Sequence, residues 1–256
     1  MLESDMRLRG KTAAITGAAG DIGQALARRF SEEGARVALI DRDEAGLATI
    51  GAAFGETATT VAADITDESA VRAAADAVRS AFGHVDILIA NAGIEQSYST
   101  VTDLSREEFD RVVSVNLTGA FLTAKHFMPI VADGGSVIFT SSIAGLMAFP
   151  AYSAYCASKA GLIGLMRSTS LDVASRRVRC NTIHPGPVKS KMLARSAHEA
   201  TDGGDTDGWY AAMAGMAKMG RLVEPEDVVG LALFLASDES AMIAGQSIAV
   251  DGGIVQ

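Results

Sequence analysis

Short apolar segments alternate with longer helical patterns along almost the whole chain, and this alternation constrains the fold more than any other feature. The apolar segments are rich in β-branched residues and cover Thr12–Thr16, Arg36–Asp41, Thr59–Ala63, Asp86–Asn91, Ser136–Ser141, Val178–Ile183 and Ser247–Val250. The helical patterns between them cover Ile22–Glu33, Glu44–Ala53, Glu68–Phe82, Arg106–Val131, Ala151–Ala174 and Glu226–Leu235. Apolar strands that alternate with helices are typical of a parallel sheet covered on both faces. We therefore predict an α/β fold, a doubly wound parallel sheet of about seven strands that binds ligands at the carboxyl ends of its strands.

Composition restricts the class of protein. The chain holds 22 Lys and Arg against 31 Asp and Glu, a formal charge of −9, and this disfavours the basic surface that binds nucleic acid or anionic membranes. No apolar run approaches the roughly 20 residues of a membrane span, and no apolar signal segment precedes the first strand. Two cysteines suit a reducing compartment, and four scattered histidines lack metal-ligand spacing. We expect a cytoplasmic protein with one domain over residues 1–256, without metal, nucleic-acid or membrane partners.

Residues 195–220 interrupt the alternation. They contain a Gly/Asp cluster, the single tryptophan Trp209 and several methionines. One interpretation is a loose surface loop. The other is a substrate lid, which we assign to residues 190–220 because the segment follows a strand and supplies adaptable apolar side chains.

The turn after the first strand predicts a dinucleotide site. It reads Gly17-x-x-Gly20-x-x-Gly23, and a helix follows at once. Small residues let the backbone approach a pyrophosphate, whose charge the helix N-terminus attracts. Asp41 ends the second strand, 18 residues after Gly23, where a carboxylate binds the adenosine ribose and repels a 2′-phosphate, which favours NAD over NADP. Two alternatives stay open: Asp41 could be a helix N-cap, and the adjacent Arg42 could accommodate a phosphate.

Three residues form a candidate acid–base site. Tyr155 and Lys159 are four positions apart in a helical pattern and therefore share one face. A nearby ammonium favours the phenolate and lowers the tyrosine pKa from its usual value of about 10. Ser142, at the end of the fifth strand, lies 13 residues before Tyr155, and its hydroxyl can polarise a carbonyl while the tyrosine exchanges the proton. Each residue alone is more often structural, so the prediction depends on the combination.

Together these motifs resemble the short-chain dehydrogenase/reductase family in its compact branch, which has a Rossmann-like fold. The matching residues are Tyr155-Cys156-Ala157-Ser158-Lys159, upstream Ser142, Asn91-Ala92-Gly93, the Thr16–Gly23 turn and Asp251-Gly252-Gly253 near the C-terminus. The resemblance covers essentially the whole chain, and this joint set is far more specific than any one motif.

The resemblance implies a role for each matching residue. Tyr155 would be the catalytic acid/base, and Lys159 would hold the nicotinamide ribose and lower the tyrosine pKa. Ser142 would orient the substrate oxygen, and Asn116 would keep a water in a proton relay. The positions implied for cofactor binding are Gly17, Gly20, Asp21, Ile22, Gly23, Asp41, Asp64, Ile65, Asn91, Ala92, Gly93, Tyr155, Lys159, Pro185, Gly186, Val188 and Ser190. For the Asn-Ala-Gly and Pro-Gly segments, ordinary turn chemistry is the alternative.

Two positions depart from the family pattern. Asp21 stands where the compact branch usually has glycine, which gives the spacing of the longer, epimerase-like branch. We expect its carboxylate to point away from the pyrophosphate, in the first helical turn where the helix dipole favours an acid. Lys189 and Lys191 flank Ser190, and they are either a solvated pair or a bias towards anionic or polar substrates.

The function that the resemblance implies is an NAD-dependent oxidoreductase that interconverts a secondary alcohol and the ketone by hydride transfer. The substrate would be a small molecule of the cyclic alcohol, polyol or sugar class, and the protein would be a homotetramer. The positions expected to form the substrate pocket are Glu95, Gln96, Ile143, Ala144, Met147, Phe149, Met192, Trp209 and Tyr210.

Three other functions are weighed against this one. A reductase of β-ketoacyl thioesters on an acyl carrier protein usually prefers NADPH and presents basic residues to the carrier, which Asp41 and the charge of −9 disfavour. A non-catalytic dinucleotide-binding sensor has no need of a catalytic set formed by Ser142, Tyr155, Lys159 and Asn116. An epimerase or dehydratase is supported by the glycine spacing alone.

Overall fold

A seven-stranded, entirely parallel sheet forms the centre of the computed structural model, which describes residues 6–255. The strands are β1 (Thr12–Thr16), β2 (Arg36–Asp41), β3 (Ala58–Ala62), β4 (Val85–Ala90), β5 (Val131–Thr140), β6 (Arg179–Pro185) and β7 (Ser247–Val250). Their order across the sheet is β3-β2-β1-β4-β5-β6-β7. The predicted doubly wound α/β fold is therefore confirmed.

Helices cover both faces of the sheet. They are α1 (Asp21–Glu32), α2 (Glu44–Gly51), α3 (Glu68–Phe82), α4 (Arg106–Val113), α5 (Gly119–Phe127), α6 (Ser153–Asp172), α7 (Lys191–Ala200), α8 (Thr206–Met216) and α9 (Pro225–Ala236). Within the described residues, none of these helices is long and apolar enough to cross a membrane.

Two apolar cores form because successive strand residues point to opposite faces of the sheet. In β1, Ala13 and Ile15 pack into the core beneath α1 and α9, whereas Ala14 packs into the core beneath α3, α5 and α6. All five side chains of β1 are buried. Burial on both faces explains why the strand sequences are continuous apolar runs rather than alternating patterns.

The structure differs most from the prediction in two regions, and β5 also begins at Val131 rather than at Ser136. The helical pattern predicted over Arg106–Val131 divides into α4, a π-helical turn over Ser114–Thr118, and α5. This second helix ends early because Pro129, in the 3₁₀ turn that follows it, cannot donate a backbone hydrogen bond, and β5 already begins at Val131. Residues 195–220, for which a loose loop was one interpretation, instead contain most of α7 and all of α8.

The strand order determines where a ligand can bind. The chain winds from β1 outwards to β3 and then returns to the other side of β1 at β4. The loop after β1 and the loop after β4 lead to opposite sides of the sheet, and such a pair of loops leaves a crevice at the carboxyl edge. The glycine-rich turn follows β1 and Asn91-Ala92-Gly93 follows β4, so both lie at this crevice.

Candidate active site

One cleft at the carboxyl edge of the sheet collects the predicted residues. Every position predicted for cofactor binding lines it, together with Ser142. Of the nine positions expected in the substrate pocket, Gln96, Met147 and Tyr210 are not among its lining residues. Gln96 is instead buried, and its amide group accepts from the Ala154 N–H at 2.8 Å and donates to the Ala151 carbonyl at 2.8 Å. It therefore fixes the start of α6 rather than facing a ligand.

Glycines are required in the turn after β1 because the backbone comes close to itself. A Cβ atom on Gly23 would lie 2.1 Å from the Gly17 carbonyl oxygen, and one on Gly17 would lie 2.7 Å from the Ala92 Cα. Gly17 also has a φ of +67°, which L-residues rarely adopt. Gly20 differs, since a Cβ there would meet the same carbonyl oxygen at the ordinary distance of 3.4 Å.

We therefore expect Gly23→Ala to destabilise the protein by roughly 3 kcal/mol, a fall in Tm of about 10 °C, because the added methyl group overlaps the backbone. Gly20→Ala is the matched control and should change Tm by no more than a few degrees. Differential scanning calorimetry of the two variants without cofactor measures the difference. Equal Tm values for both would contradict the close approach of Gly23 to Gly17.

Backbone groups at the start of α1 are oriented to bind an anion. Gly20 is the N-cap of this helix, and no side chain caps it. The first N–H groups of a helix that lack an intrahelical partner carry partial positive charge and bind phosphates well. The turn itself is held by Asn91, whose amide nitrogen donates to the Thr16 carbonyl at 3.1 Å and the Gly17 carbonyl at 3.3 Å.

Asp41 connects the end of β2 to the glycine-rich turn. Its carboxylate accepts from the Ala19 N–H at 2.9 Å and from the Asp43 N–H at 3.0 Å. The N-cap of α2 is Asp43, which accepts from the Gly46 N–H, so the alternative that Asp41 caps this helix is wrong. Each carboxylate oxygen has two lone pairs, so Asp41 keeps acceptor capacity for hydroxyl groups in the cleft.

Asp21 bonds across the cleft to the predicted lid. Its Oδ2 accepts from the Lys191 N–H, the first residue of α7, at 2.7 Å. The carboxylate therefore points away from the glycine-rich turn and towards a helix N-terminus. That N-terminus belongs to α7 and not to α1, the helix that contains Asp21. Ser190 is the N-cap of α7, with its Oγ accepting from the Leu193 N–H at 3.2 Å.

Two predicted adenine contacts follow β3. The Asp64 carboxylate accepts from both the backbone N–H and the hydroxyl of Thr66, which lowers the Asp64 pKa. Ile65 packs against Gly119, where a Cβ would lie 2.5 Å from the Ile65 Cδ1. The Ile65 side chain is therefore held by α5 beside the cleft.

The cleft floor brings together the three residues of the candidate acid–base site. Tyr155 and Lys159 project from α6, and Ser142 follows β5. The Lys159 ammonium donates to the Thr140 carbonyl at 3.0 Å and lies 5.6 Å from the centroid of the Tyr155 ring. The Ser142 hydroxyl interacts with the Tyr155 phenol and favours its ionised form.

Burial dominates the acid–base properties of this site. It lowers the pKa of Lys159 to about 8. Burial also raises the pKa of Tyr155, the Glu95 carboxylate raises it further, and the Ser142 hydroxyl opposes both effects. In this structure the net change in the tyrosine pKa is thus opposite to the predicted lowering, because loss of hydration is the largest effect.

Asn116 is the one predicted catalytic residue that does not line the cleft. It is buried in the π-helical turn, where its Nδ2 donates to the Ile94 carbonyl at 2.9 Å and to the Ser158 hydroxyl at 3.1 Å. Its Oδ1 accepts from the Ile94 N–H at 2.8 Å. Both side-chain N–H groups are thus in use, so a relay water at this position would have to bind the backbone or the remaining lone pair of Oδ1.

His184 is a residue of this site that sequence reasoning missed. Its Nδ1 lies 2.8 Å from the Ser142 carbonyl oxygen and its Nε2 lies 2.8 Å from the Thr182 hydroxyl. Since the carbonyl only accepts, Nδ1 carries the proton and Nε2 accepts from the threonine. Burial lowers the pKa of His184 and keeps the ring neutral. The ring thereby fixes the backbone of Ser142, a contact that no local pattern in the sequence indicates.

These features fit a nicotinamide dinucleotide. The side-chain-free surface at Gly17 and Gly23 and the uncapped start of α1 suit a pyrophosphate. The Asp41 carboxylate and the Lys159 ammonium suit two sets of ribose hydroxyls along the same cleft. No cluster of three or more His, Cys, Asp or Glu residues that could hold a metal ion occurs between residues 6 and 255.

Comparison with known proteins identifies the family. Residues 17–255 match a family model, adh_short_C2, described as enoyl-(acyl carrier protein) reductase. D-Threitol dehydrogenase of Mycolicibacterium smegmatis is 35% identical over 98% of this chain and 95% of its own length. The chain belongs to the short-chain dehydrogenase/reductase family. As in other members, a Rossmann-like sheet carries the site.

Other family members extend this comparison. The 3-oxoacyl-[acyl-carrier-protein] reductase FabG of Thermotoga maritima is 32% identical over 98% of this chain and 100% of its own length. Among solved structures, NAD⁺-bound xylitol dehydrogenase superposes with a TM-score of 0.92 at 31% identity, covering 96% of this chain and 100% of the other. The relatives of this short-chain dehydrogenase/reductase thus include both polyol dehydrogenases and a carrier-protein reductase.

Proposed function

We propose that this oxidoreductase is an NAD-dependent dehydrogenase that interconverts a secondary alcohol of the cyclic alcohol, polyol or sugar class and the ketone. The observation that carries the proposal is the convergence of Ser142, Tyr155 and Lys159 at the floor of a cleft that also fits a dinucleotide. Each of these side chains has the chemistry that proton transfer to or from a carbinol oxygen requires.

The chain's own residues handle the proton and the substrate oxygen. The Tyr155 phenol exchanges the proton with that oxygen, while the Ser142 hydroxyl donates to it and fixes its position. The Lys159 ammonium stabilises the phenolate and binds ribose hydroxyls. When bound, the nicotinamide ring supplies or accepts the hydride. His184 maintains the backbone position of Ser142 through the contact described above.

The choice of NAD rests on Asp41. Its carboxylate borders the cleft at the end of β2. It accepts a hydrogen bond from the Ala19 N–H of the neighbouring glycine-rich turn. A negative charge there repels a 2′-phosphate and accepts from ribose hydroxyls. Two relatives support this proposal. The names of D-threitol dehydrogenase and xylitol dehydrogenase support a polyol substrate, and the NAD⁺ bound to xylitol dehydrogenase supports this cofactor class.

A β-ketoacyl-thioester reductase is the second candidate, because FabG of Thermotoga maritima and the description of the matching family model favour it. Against it, the chain carries a formal charge of −9 and Asp41 at the cofactor position. An acidic protein surface repels an acidic carrier protein.

A substrate panel tests the proposal. NADH formation from NAD⁺ is measured with secondary alcohols, cyclic alcohols, polyols and sugars, with NADP⁺ and a β-ketoacyl thioester as comparisons. We expect turnover on one alcohol class and at most weak turnover with NADP⁺. Thioester reduction with NADPH would instead establish the second candidate. Binding of NADH without turnover of any substrate would establish a sensor.

We further propose that residues 190–220 act as a substrate lid and that the protein is a homotetramer. The lid assignment is supported by Met192, Trp209 and Met213, through which α7 and α8 contribute to the cleft wall. The tetramer is supported by Phe109 and Phe121, two large apolar side chains exposed on α4 and α5. Light scattering coupled to size-exclusion chromatography measures the assembly, and a mass near 26.5 kDa would contradict it.

A further inference from the structure

Glu95 places a carboxyl group in the substrate end of the cleft. It lies two residues after Asn91-Ala92-Gly93 and lines the same cleft as Tyr155. The carboxyl is hydrogen-bonded to the Ser196 hydroxyl, which also lies 3.1 Å from the Met192 carbonyl oxygen. Ser196 is buried in α7, so this contact joins the loop after β4 to the predicted lid.

A second hydroxyl group belongs to this arrangement. The Tyr152 phenol lies near both Glu95 and Ser196 and interacts with each of them. The Tyr152 ring lies 6.3 Å, centroid to centroid, from the Tyr155 ring, which adjoins the reacting oxygen in the proposed function. We call Glu95, Tyr152 and Ser196 the polar triad. Its Tyr152 ring packs edge-on against the ring of Tyr155, the proposed proton donor.

Apart from Lys191 and Arg195, two exposed cations of α7, the rest of the substrate end is apolar. Its apolar side chains are Ile143, Ala144, Phe149, Met192, Trp209 and Met213. An apolar wall cannot recognise a hydroxyl group, so hydrogen bonding by buried or half-buried groups on this side of Tyr155 falls to the polar triad. A pocket with a few polar groups among apolar side chains orients its ligand through those groups.

The charged and titratable neighbours of Glu95 come from three helices and their ends. Glu199 and Arg195 face it from α7, Tyr155 faces it from α6, and Tyr152 faces it from the N-cap of α6. From α4, the Arg111 guanidinium donates to the Glu95 backbone carbonyl at 3.3 Å. Burial raises the pKa of Glu95 to about 7, and the Glu199 carboxylate adds to this effect. At neutral pH the group is therefore divided between its protonated and ionised forms, and it can both donate and accept a hydrogen bond.

We infer that Glu95, with Ser196 and Tyr152, binds a second hydroxyl group of the substrate and so selects diols and polyols over simple secondary alcohols. This inference rests on the proposed function, which supplies the oxidised carbinol next to Tyr155.

The same arrangement disfavours anionic substrates. A carboxylate or phosphate at this end would face the Glu95 carboxyl across a half-buried site. Of the two lysines that suggested an anionic or polar substrate, Lys189 is exposed, lies 3.7 Å from Glu224 and does not line the cleft, whereas Lys191 is exposed and does line it. At the polar triad itself, the Glu95 carboxyl favours a neutral hydroxyl group over an anion.

Matched pairs of substrates test the inference. A vicinal cyclohexanediol is compared with cyclohexanol, and a vicinal butanediol with the secondary butanol, through kcat/KM for NADH formation. We expect the wild-type protein to prefer each diol at least about tenfold. Glu95→Leu should lower kcat/KM for the diols about tenfold more than for the simple alcohols, so that the preference is lost.

Three further variants separate recognition from structure. Glu95→Gln can still donate and accept, so it should retain most of the diol preference, whereas Ser196→Ala should lose part of it. Glu107→Gln, at an exposed position of α4, is the matched control and should leave all four rates unchanged.

Failure of the inference and failure of the proposed function give different results. If the wild-type protein oxidises these alcohols but Glu95→Leu lowers all four rates equally, or if no diol preference exists, the polar triad does not bind substrate and the proposed function still stands. If the wild-type protein oxidises none of them and reduces a β-ketoacyl thioester, both are overturned.

The pH dependence of alcohol oxidation provides an independent measurement. Above pH 7 or so the ionised Glu95 raises the pKa of Tyr155 by repelling the phenolate. Glu95→Gln removes this charge, so the rise of kcat/KM with pH should begin at a lower pH than in the wild-type protein. An unmoved profile would place the Glu95 charge too far from Tyr155 for both residues to contact one small substrate, and it would contradict the inference.

Discussion

Tyr155→Phe is expected to lower kcat for alcohol oxidation by about 10³-fold while leaving the Kd for NADH within about threefold of the wild-type value. Phenylalanine keeps the aromatic ring at this position of α6 and removes only the hydroxyl group that would exchange the proton. The Ser142 hydroxyl and Lys159 ammonium remain in the cleft, so cofactor contacts are preserved. Steady-state kinetics give kcat, and NADH fluorescence titration gives the Kd.

Tyr98→Phe is the matched control for this experiment. Tyr98 is 49% exposed, and its ring packs edge-on against Tyr152 with 6.0 Å between centroids. Removal of its hydroxyl should leave kcat within about twofold, since a surface change away from the reacting groups has little effect. If Tyr155→Phe kept more than a tenth of the wild-type kcat, another group would be the proton donor, and the proposed mechanism would be wrong.

Asp41→Ala is expected to raise the ratio of kcat/KM for NADP⁺ to that for NAD⁺ by about 10²-fold. Two unit charges about 4 Å apart near a protein surface repel by about 4 kcal/mol, and about two-thirds of this corresponds to the expected 10²-fold change. Arg42 lines the cleft beside Asp41, so removal of the carboxylate leaves a guanidinium next to an added phosphate. Kinetics with both cofactors at one saturating alcohol concentration measure the ratio.

Two variants make this result specific. Asp41→Asn keeps an acceptor for the Ala19 N–H and removes the charge, so it separates electrostatic repulsion from damage to the glycine-rich turn. Asp76→Asn removes an exposed carboxylate of α3 that pairs with Arg79, and it should not alter the ratio. An unchanged ratio in both Asp41 variants would show that other residues choose the cofactor.

The proposed homotetramer bears on these measurements, because α4 and α6 both contribute to the site and expose apolar residues. Phe109 of α4 and Leu171 of α6 are exposed, and the same helices carry Arg111 and Tyr155. Kinetics are therefore best compared between variants that elute at the same position on size-exclusion chromatography.

Features governed by local backbone geometry were predictable from the sequence. The continuous apolar run of β1 and the periodicity of α3 predicted their bounds without error, because strand and helix repeats act over a few residues. The spacing of Tyr155 and Lys159 predicted one helix face for the same reason. The need for glycine at position 23 could be predicted because its close contact is with Gly17, only six residues away, whereas the contact of Gly17 with Ala92 depends on the tertiary structure.

Other features depend on where distant segments meet, and only the tertiary structure decided them. Glu95 bonds to Ser196, 101 residues away, and Asp21 bonds to the Lys191 N–H, 170 residues away. The burial that raises the pKa of Tyr155 above its ordinary value depends on elements from across the chain. Spacing along a sequence carries information about neighbours within a turn of helix or a strand. The partners and hydration of a side chain, and therefore its chemistry, follow from how helices and loops pack at the carboxyl edge of the sheet.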